Sequence, residues 1–342
     1  MTLPLQPPFA PMEAQLVERI PTGPAWQYEP KWDGFRCLAF RDGEHVELQS
    51  KAGQPLTRYF PEIVAHLLAM KPARFVLDGE LVIEVEGKLA FDQLLQRIHP
   101  AESRVRMLAS RFPASYVVFD LLVDEKGRPL NESTLEARRT ALEKFAARAF
   151  VPGVLLSPAT TELADAKRWL AGVGTTLDGV VAKRRDLAYR SGDRTGMQKV
   201  KRLRTADCVV GGFRYASAGG VLGSLLLGLY DDNGKLDYVG YCSSFTQRQR
   251  AELTPELEAL IAPPGFTGSA PGGKSRWSKA ERSTAWQPLR PERVVEVRYD
   301  HFTERFRHGT TFLRWRPDKA PRQCTYEQAQ TGGALSPLSI LH

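Results

Sequence analysis

Within nine residues, Tyr28-Glu29-Pro30-Lys31-Trp32-Asp33-Gly34-Phe35-Arg36 gathers a lysine, two carboxylates beside it, a glycine and an arginine. The apolar run Cys37-Leu38-Ala39-Phe40 follows at once, so the charged cluster belongs at the mouth of a strand and not on a solvated helix face. Lys31 is therefore a candidate nucleophile. A lysine attacks only as the neutral amine, so burial, cationic neighbours or a metal must hold its pKa down. Three later apolar runs also carry acids: Phe75–Ile83 with Asp78 and Glu80, Tyr116–Leu122 with Asp120, and Leu177–Lys183 with Asp178. Carboxylates buried in strands are costly unless a cation or metal pairs with them. In Gln198-Lys199-Val200-Lys201 the alternation points both lysines to one face of a strand. Singly, these features fit a surface lysine, a structural ion pair or a solvated basic face. As a set they describe a pocket for a polyanion and its metal.

The elements that must position these groups are bounded by length and composition. A chain of 342 residues favours two domains, each able to bury a core. The 42% hydrophobic and 25% charged content excludes wholesale disorder. A net charge of +8 favours an anionic partner. The four cysteines are far apart and form no CxxC pair, which argues against a zinc knuckle or disulfide framework and fits a reducing cytosol. Neither a signal-like segment nor an apolar run of ~18 residues is present, so a soluble, cytoplasmic protein without membrane partners is expected.

Residues 1–25 read as a proline-rich arm around one short helical candidate, Glu13–Ile20. Phe35–Phe40 and His45–Leu48 form a hairpin across Asp42-Gly43. Pro61 suits the first turn of a helix, and Leu135–Ala147 and Leu163–Leu170 read as further helices. Between Lys183 and Arg204 there are nine Lys/Arg against two acids. Beyond Leu203, the short strands Cys208–Tyr215, Ser224–Tyr230, Tyr238–Cys242, Val294–Tyr299 and Thr311–Trp315, with a helix at Gln247–Ile261, predict a small barrel. Ala262–Trp286 is a Gly/Pro/Ser/Lys-rich loop. Its Lys274, Arg276 and Lys279 are either nucleic-acid contacts or part of a plain connection.

With these residues assembled, Lys31-Trp32-Asp33-Gly34-Phe35-Arg36 resembles motif I of the covalent nucleotidyltransferases: ATP-dependent DNA ligases, RNA ligases and capping enzymes. Ser50-Lys51-Ala52-Gly53 resembles motif Ia, Asp78-Gly79-Glu80 motif III and Tyr116–Leu122 motif IIIa. Asp178–Lys183 resembles motif IV, Lys199-Val200-Lys201 motif V and Arg314–Lys319 motif VI. Arg97-Ile98-His99-Pro100 and Pro291–Tyr299 carry a closer similarity to bacterial C-type DNA ligases and to the ligase module of bacterial end-joining enzymes. Two positions depart from the usual pattern. Asp178 stands where the family has Glu, one methylene longer. Lys51 stands where it has Arg, and a lysine lacks the bidentate fork.

The resemblance implies an α+β protein: an ATP-grasp-like adenylation domain at 1–203, with antiparallel sheets and flanking helices, then an OB-fold barrel domain at 204–342. It implies an ATP-dependent DNA ligase active in DNA repair. Lys31 would be the nucleophile, with Asp33, Lys199 and Lys201 completing the catalytic set. Glu29, Arg36, Lys51, Glu80, Phe119, Lys183, Lys199, Lys201, Arg314 and Lys319 would bind the nucleotide. Glu80 and Asp178 would hold Mg²⁺ or Mn²⁺, Phe119 would stack on the base, and Asp33 and Asp78 would position the nick ends. Motif VI would meet the pyrophosphate, with a hinge at Arg202–Asp207. The expected partner is nicked double-stranded DNA, met by a monomer associated with the nucleoid, with repair proteins as further partners. An RNA ligase or capping enzyme, and a non-catalytic nucleic-acid-binding module, stay open as alternatives. The Lys/Arg excess is spread evenly: residues 1–203 carry 29 against 25 acids and the remaining 139 carry 18 against 14, so both domains are expected to meet DNA.

Overall fold

The computed structural model describes residues 2–171, 177–217, 219–272, 285–329 and 337–341. The chain divides into two compact units, Met1–Arg202 with Gly333–His342, and Leu203–Gly332.

In chain order the first unit contains β1 (Gln15–Leu16), β2 (Trp26–Lys31), β3 (Phe35–Asp42), β4 (His45–Ser50), α1 (Pro61–Ala69), β5 (Arg74–Val85) and β6 (Lys88–Leu89). It continues with α2 (Phe91–Arg97), α3 (Glu102–Arg111), β7 (Ala114–Val123), α4 (Leu135–Ala149), β8 (Val154–Leu156), α5 (Leu163–Ala171), β9 (Gly179–Arg184) and β10 (Met197–Lys201). Two sheets result. One runs β4-β3-β5-β7-β8, with β6 added to β5; the other runs β1-β10-β9-β2.

The larger sheet is covered on both faces, and its period of two sorts the side chains. On β3 and β5, Cys37, Ala39, Phe75, Leu77, Leu81 and Ile83 join the core that includes Ile63 and Leu67 of α1 and Leu142 and Phe145 of α4. The alternate positions Leu38, Phe40 and Val76 face the other way, into a core shared with Leu3, Met12, Tyr189 and Met197. Arg36, Asp78 and Glu80 belong to that second face, so the sheet that builds the helix-side core also forms the floor of a cleft. The smaller sheet forms the roof.

Several local expectations are met. The hairpin turns at Gly43 with φ 66°, and Pro61 occupies the first turn of α1. The arm differs. Glu13–Ile20 is not helical; Gln15 and Leu16 extend the smaller sheet in parallel to Gln198 and Lys199 of β10. With prolines at 4, 7, 8 and 11 before it, the arm is extended where it meets a strand edge that needs partners. The strand β2, which carries the first half of the charged cluster, has no strand pattern in the sequence, because Glu29, Pro30 and Lys31 break its apolar run.

The second unit contains β11 (Arg204–Tyr215), β12 (Leu222–Tyr230), β13 (Leu236–Cys242), α6 (Gln247–Glu258), β14 (Gln287–Pro288), β15 (Val294–Tyr299) and β16 (Thr311–Trp315). The strands follow the open path β13-β12-β11-β15-β16, and β14 pairs with β11. Register shifts at Val210/Gly212 and Leu227/Gly228 mark irregularities that curl such a sheet. The two edges meet through an isolated bridge between Cys242 and Thr310. No closed barrel ladder is found among the described residues, so the predicted barrel is realised as a curled, nearly closing sheet. Helix α6 begins at a Thr246–Gln249 capping box and ends at Glu258, short of the expected Ile261, with Pro255 inside its last turn.

Two boundary expectations change. Of the predicted hinge at Arg202–Asp207, Arg204–Asp207 are already paired with β15. The tail also leaves the second unit: Leu338, Ile340 and Leu341 pack beside Trp32, Val82, Val117 and Leu177 of the first. Apolar side chains go to whichever core can cover them. Lys274, Arg276 and Lys279 lie outside the described residues. No described helix is long and apolar enough to cross a membrane.

Candidate active site

Sheet register assembles the roof of the cleft. Lys31, Gly179 and Lys201 are cross-strand partners in one row, and Glu29, Val181 and Lys199 in the next. Gln27, Lys183 and Met197 form the third. The glycine between Lys31 and Lys201 is required: Gly179 has φ +145°, and a Cβ there would sit 2.0 Å from the Val200 carbonyl oxygen. At the turn into the floor, a Cβ on Gly34 would lie 2.1 Å from the Leu81 carbonyl oxygen. Both motif glycines therefore permit close backbone approach.

The cleft has a cavity volume of about 200 Å³ and is lined by Glu29, Lys31, Arg36, Lys51, Glu80, Phe119, Lys183 and Lys199. Eight of the predicted site residues are thus brought together. Pro11, Met12, Glu13 and Ala14 of the arm also line it, as do Trp32, Val181 and Met197.

Lys31 Nζ lies 2.5 Å from Asp178 Oδ2. Burial pushes the amine's pKa down, but Asp178 first, then Glu80 and Asp33, outweigh it and hold it above the ordinary lysine value. This corrects the expectation of a depressed pKa: in this state Lys31 is an ammonium. The Lys199 amine is lowered, by burial first and then by Lys31, Lys51 and Lys201. The Glu80 carboxyl is pushed up to about 7, chiefly by burial, against the pull of Arg36 and Lys31. Asp33 is 8% exposed and acts on both Lys31 and Glu80 through its charge.

Deeper in the cleft, Lys183 Nζ donates to Glu29 Oε2 at 2.6 Å, and Gln27 Nε2 donates to Glu29 Oε1 at 2.9 Å. Lys183 and Arg36 lie over the Phe119 ring at 4.4 and 4.6 Å from its centroid. On the floor, Arg36 donates Nε to Asp78 Oδ1 and Nη2 to Asp78 Oδ2, both at 2.6 Å. Tyr189 Oη donates to Asp78 Oδ2 at 2.6 Å and accepts from the Met12 N–H at 2.9 Å. Asp78 is fully buried. It holds Arg36, and any effect on a nick passes through that guanidinium. Arg97, singled out in the sequence, is also scaffold: it is buried and meets Glu62 at 2.6 and 2.7 Å.

Sequence reasoning missed Glu13 and Tyr189. Tyr189 had a signal, as an aromatic residue inside the basic stretch 183–204. Glu13 had none, because it was assigned to a short helix.

The motif VI residues lie in the second unit. Arg314 Nε donates to Glu296 at 2.6 Å, and Lys319 Nζ donates to Asp207 at 2.7 Å. Arg316 bridges Asp207 and Asp318, and it holds the Asp318 carboxyl down to about 2.

Among the described residues, no cluster of three or more His, Cys, Asp and Glu forms a ready-made metal cage. The oxygen donors that face Lys31 still suit a hard divalent ion that keeps waters and takes phosphate oxygens as well. Glu80 and Asp178 both act on Lys31 through their charge, and the raised Glu80 carboxyl marks a buried acid short of positive charge.

Family models agree with this geometry. The ATP dependent DNA ligase domain matches residues 11–201, and the ATP dependent DNA ligase C terminal region matches residues 218–319. DNA ligase C2 of Mycolicibacterium smegmatis is 48% identical over 349 aligned positions, covering 96% of each chain. The multifunctional non-homologous end joining protein LigD of Pseudomonas aeruginosa is 32% identical, over 94% of this chain and 37% of that one. A solved structure from work on Lig E DNA ligases superposes with a TM-score of 0.56 at 16% identity, over 90% of this chain and 99% of the other, a likeness of fold. With a lysine paired to an acid in a cationic cleft, both ligase family models matched and a 48% identical DNA ligase aligned over 96% of its length, this chain belongs to the ATP-dependent DNA ligase family.

Proposed function

We propose that this protein seals nicks in double-stranded DNA through a covalent Lys31–AMP intermediate, acting in DNA repair. The observation that supports it most is Lys31 at the Asp178 carboxylate, in a cleft that Lys183 and Lys199 make cationic. The paired amine must first lose a proton to solvent, which requires Asp178 to be drawn off it. The neutral amine then attacks the α-phosphorus of ATP. A P–N bond forms and the P–O bond to pyrophosphate breaks. Lys183, Lys199 and Lys201 gather the negative charge that develops. Transfer of AMP to the 5′-phosphate of a nick restores the lysine, and attack by the 3′-OH releases AMP.

Glu80 and Asp178 are the residues that would hold Mg²⁺ or Mn²⁺. When bound, such an ion supplies charge neutralisation at the phosphates and a further pull on the Lys31 pKa. Glu29 reads the adenine side and Phe119 stacks on the base. Arg36, fixed by Asp78, and Lys51 meet phosphate, and Asp33 helps position the nick. Arg314 and Lys319 serve the pyrophosphate, for which Lys319 has to leave Asp207.

Labelled ATP tests the proposal. Incubation with α-labelled ATP should give one adduct of AMP mass on Lys31, and adding nicked DNA should discharge it with sealing. An adduct formed only with GTP, or one that persists in Lys31→Ala, would sink it.

A further inference from the structure

Each cation on the floor and roof of the cleft with a resolved partner is held by an acid from the sheets: Arg36 by Asp78, Lys183 by Glu29 and Lys31 by Asp178. Lys51 is different. Its partner comes from the arm: Glu13 Oε2 lies 3.0 Å from Lys51 Nζ and also 3.0 Å from Arg194 Nη2. Lys51 follows β4 at the edge of the floor, and Arg194 precedes β10 of the roof. One carboxylate therefore ties the two sides of the cleft mouth.

Its position is built. The Glu13 N–H donates to the Asp193 carbonyl oxygen at 2.8 Å, and Gln15 and Leu16 just beyond it pair with β10. Lys51 first and then Arg194 hold the Glu13 carboxyl below its ordinary value, so it is an anion. The Lys51 and Arg194 side chains are 54% and 68% exposed and that of Glu13 is 25% exposed. Ion pairs this exposed are weak and exchange readily. A carboxylate bridging a lysine and an arginine at the rim of a polyanion pocket occupies the place of a phosphate.

We infer that Glu13 is an internal competitor for phosphate at the cleft mouth: it holds Lys51 and Arg194 in the empty enzyme and is displaced by the incoming phosphate. The inference rests on the proposed role of Lys51 and adds Glu13, a residue of the chain itself, as the occupant that phosphate must displace. A phosphate of ATP and the 5′-phosphate of a nick share the required chemistry.

The test uses the full chain and Glu13→Gln, which keeps the shape of the side chain and removes its charge. One arm measures the ATP concentration dependence of adenylation. The other presents purified enzyme–AMP with nicked duplexes carrying either a 5′-phosphate or a 5′-hydroxyl. Glu13→Gln should tighten ATP or the 5′-phosphate nick about fivefold, and leave the 5′-hydroxyl nick unchanged. Adding Arg194→Gln should remove that gain. Equal tightening of both nicks, no change in either arm, or a gain that survives Arg194→Gln would overturn the role of Glu13 as competitor. Lys51→Ala separates the two levels. If it weakens phosphate dependence while Glu13→Gln does nothing, only the competitor fails. If Lys51→Ala also does nothing, the reading of Lys51 fails with it.

Discussion

The floor and the roof of the cleft carry similar charges and use them differently. On the floor, Arg36 is committed to the buried Asp78, which Tyr189 also engages. Below it, Arg138 meets Asp120 at 2.8 Å with both side chains 2% exposed. On the roof, Lys31 is 21% exposed against Asp178 at 10%, and Lys199 is surrounded by other cations. Arg36 and Arg138 on the floor are enclosed by their acids and hold shape. Lys31 and Lys199 on the roof are less enclosed, Lys31 beside a partly open partner and Lys199 among other cations. The same residue types become scaffold or chemistry according to how completely their partners enclose them.

Four substitutions test that contrast. Lys31→Ala should abolish the AMP adduct, as read by intact-protein mass, while the thermal midpoint stays near the parent's. Asp178→Asn should cut the adenylation rate by about a hundredfold or more. It should also speed modification of Lys31 by an amine-selective acylating reagent at pH 8, because loss of the acid lowers the lysine pKa. Slower modification would mean that Asp178 does not hold the proton on Lys31. On the floor, Asp120→Asn leaves Arg138 buried without its counter-charge and should cost about 3–5 kcal/mol in urea denaturation. A loss under ~1 kcal/mol would make the floor pair as dispensable as a surface one.

The smallest effect concerns pH. With Glu80 at about 7, above its ordinary value of 4.5, the folded state binds a proton more tightly than the unfolded chain does. Ionising Glu80 therefore lowers stability as pH rises from 4.5 to 7. Glu80→Gln should be more stable than the parent at pH 8 without ligands, and the difference should close toward pH 4.5. Divalent-ion affinity in the parent should fall about tenfold per unit below pH 7 and level off above it. A flat profile would remove Glu80 as an ion ligand.

Much of this was legible in the chain. Strands β3, β5 and β7 announce themselves by apolar runs, and their acids stand out because acids there are expensive. The alternation of Lys199 and Lys201 is enough to put both lysines on one face of a strand. The strand β2 was illegible because its residues are chosen for the cleft and not for a core. The arm was misread because a two-residue strand has no period, and its conformation is set by the edge of β10. The burial of Asp78 was illegible because it depends on Arg36 and Tyr189, the latter 111 residues away.

The sequence by itself determined the candidate nucleophile, the order of the motifs and the positions of the acids, since each is a local pattern of residue type and spacing. Only the tertiary structure decided the charge state of Lys31, the commitment of Arg36 to Asp78 and the arrival of Glu13 at the cleft mouth. Those outcomes depend on distances of a few ångströms between residues far apart in the chain. Sheet register sets such distances, and Coulomb and desolvation energies change steeply with them.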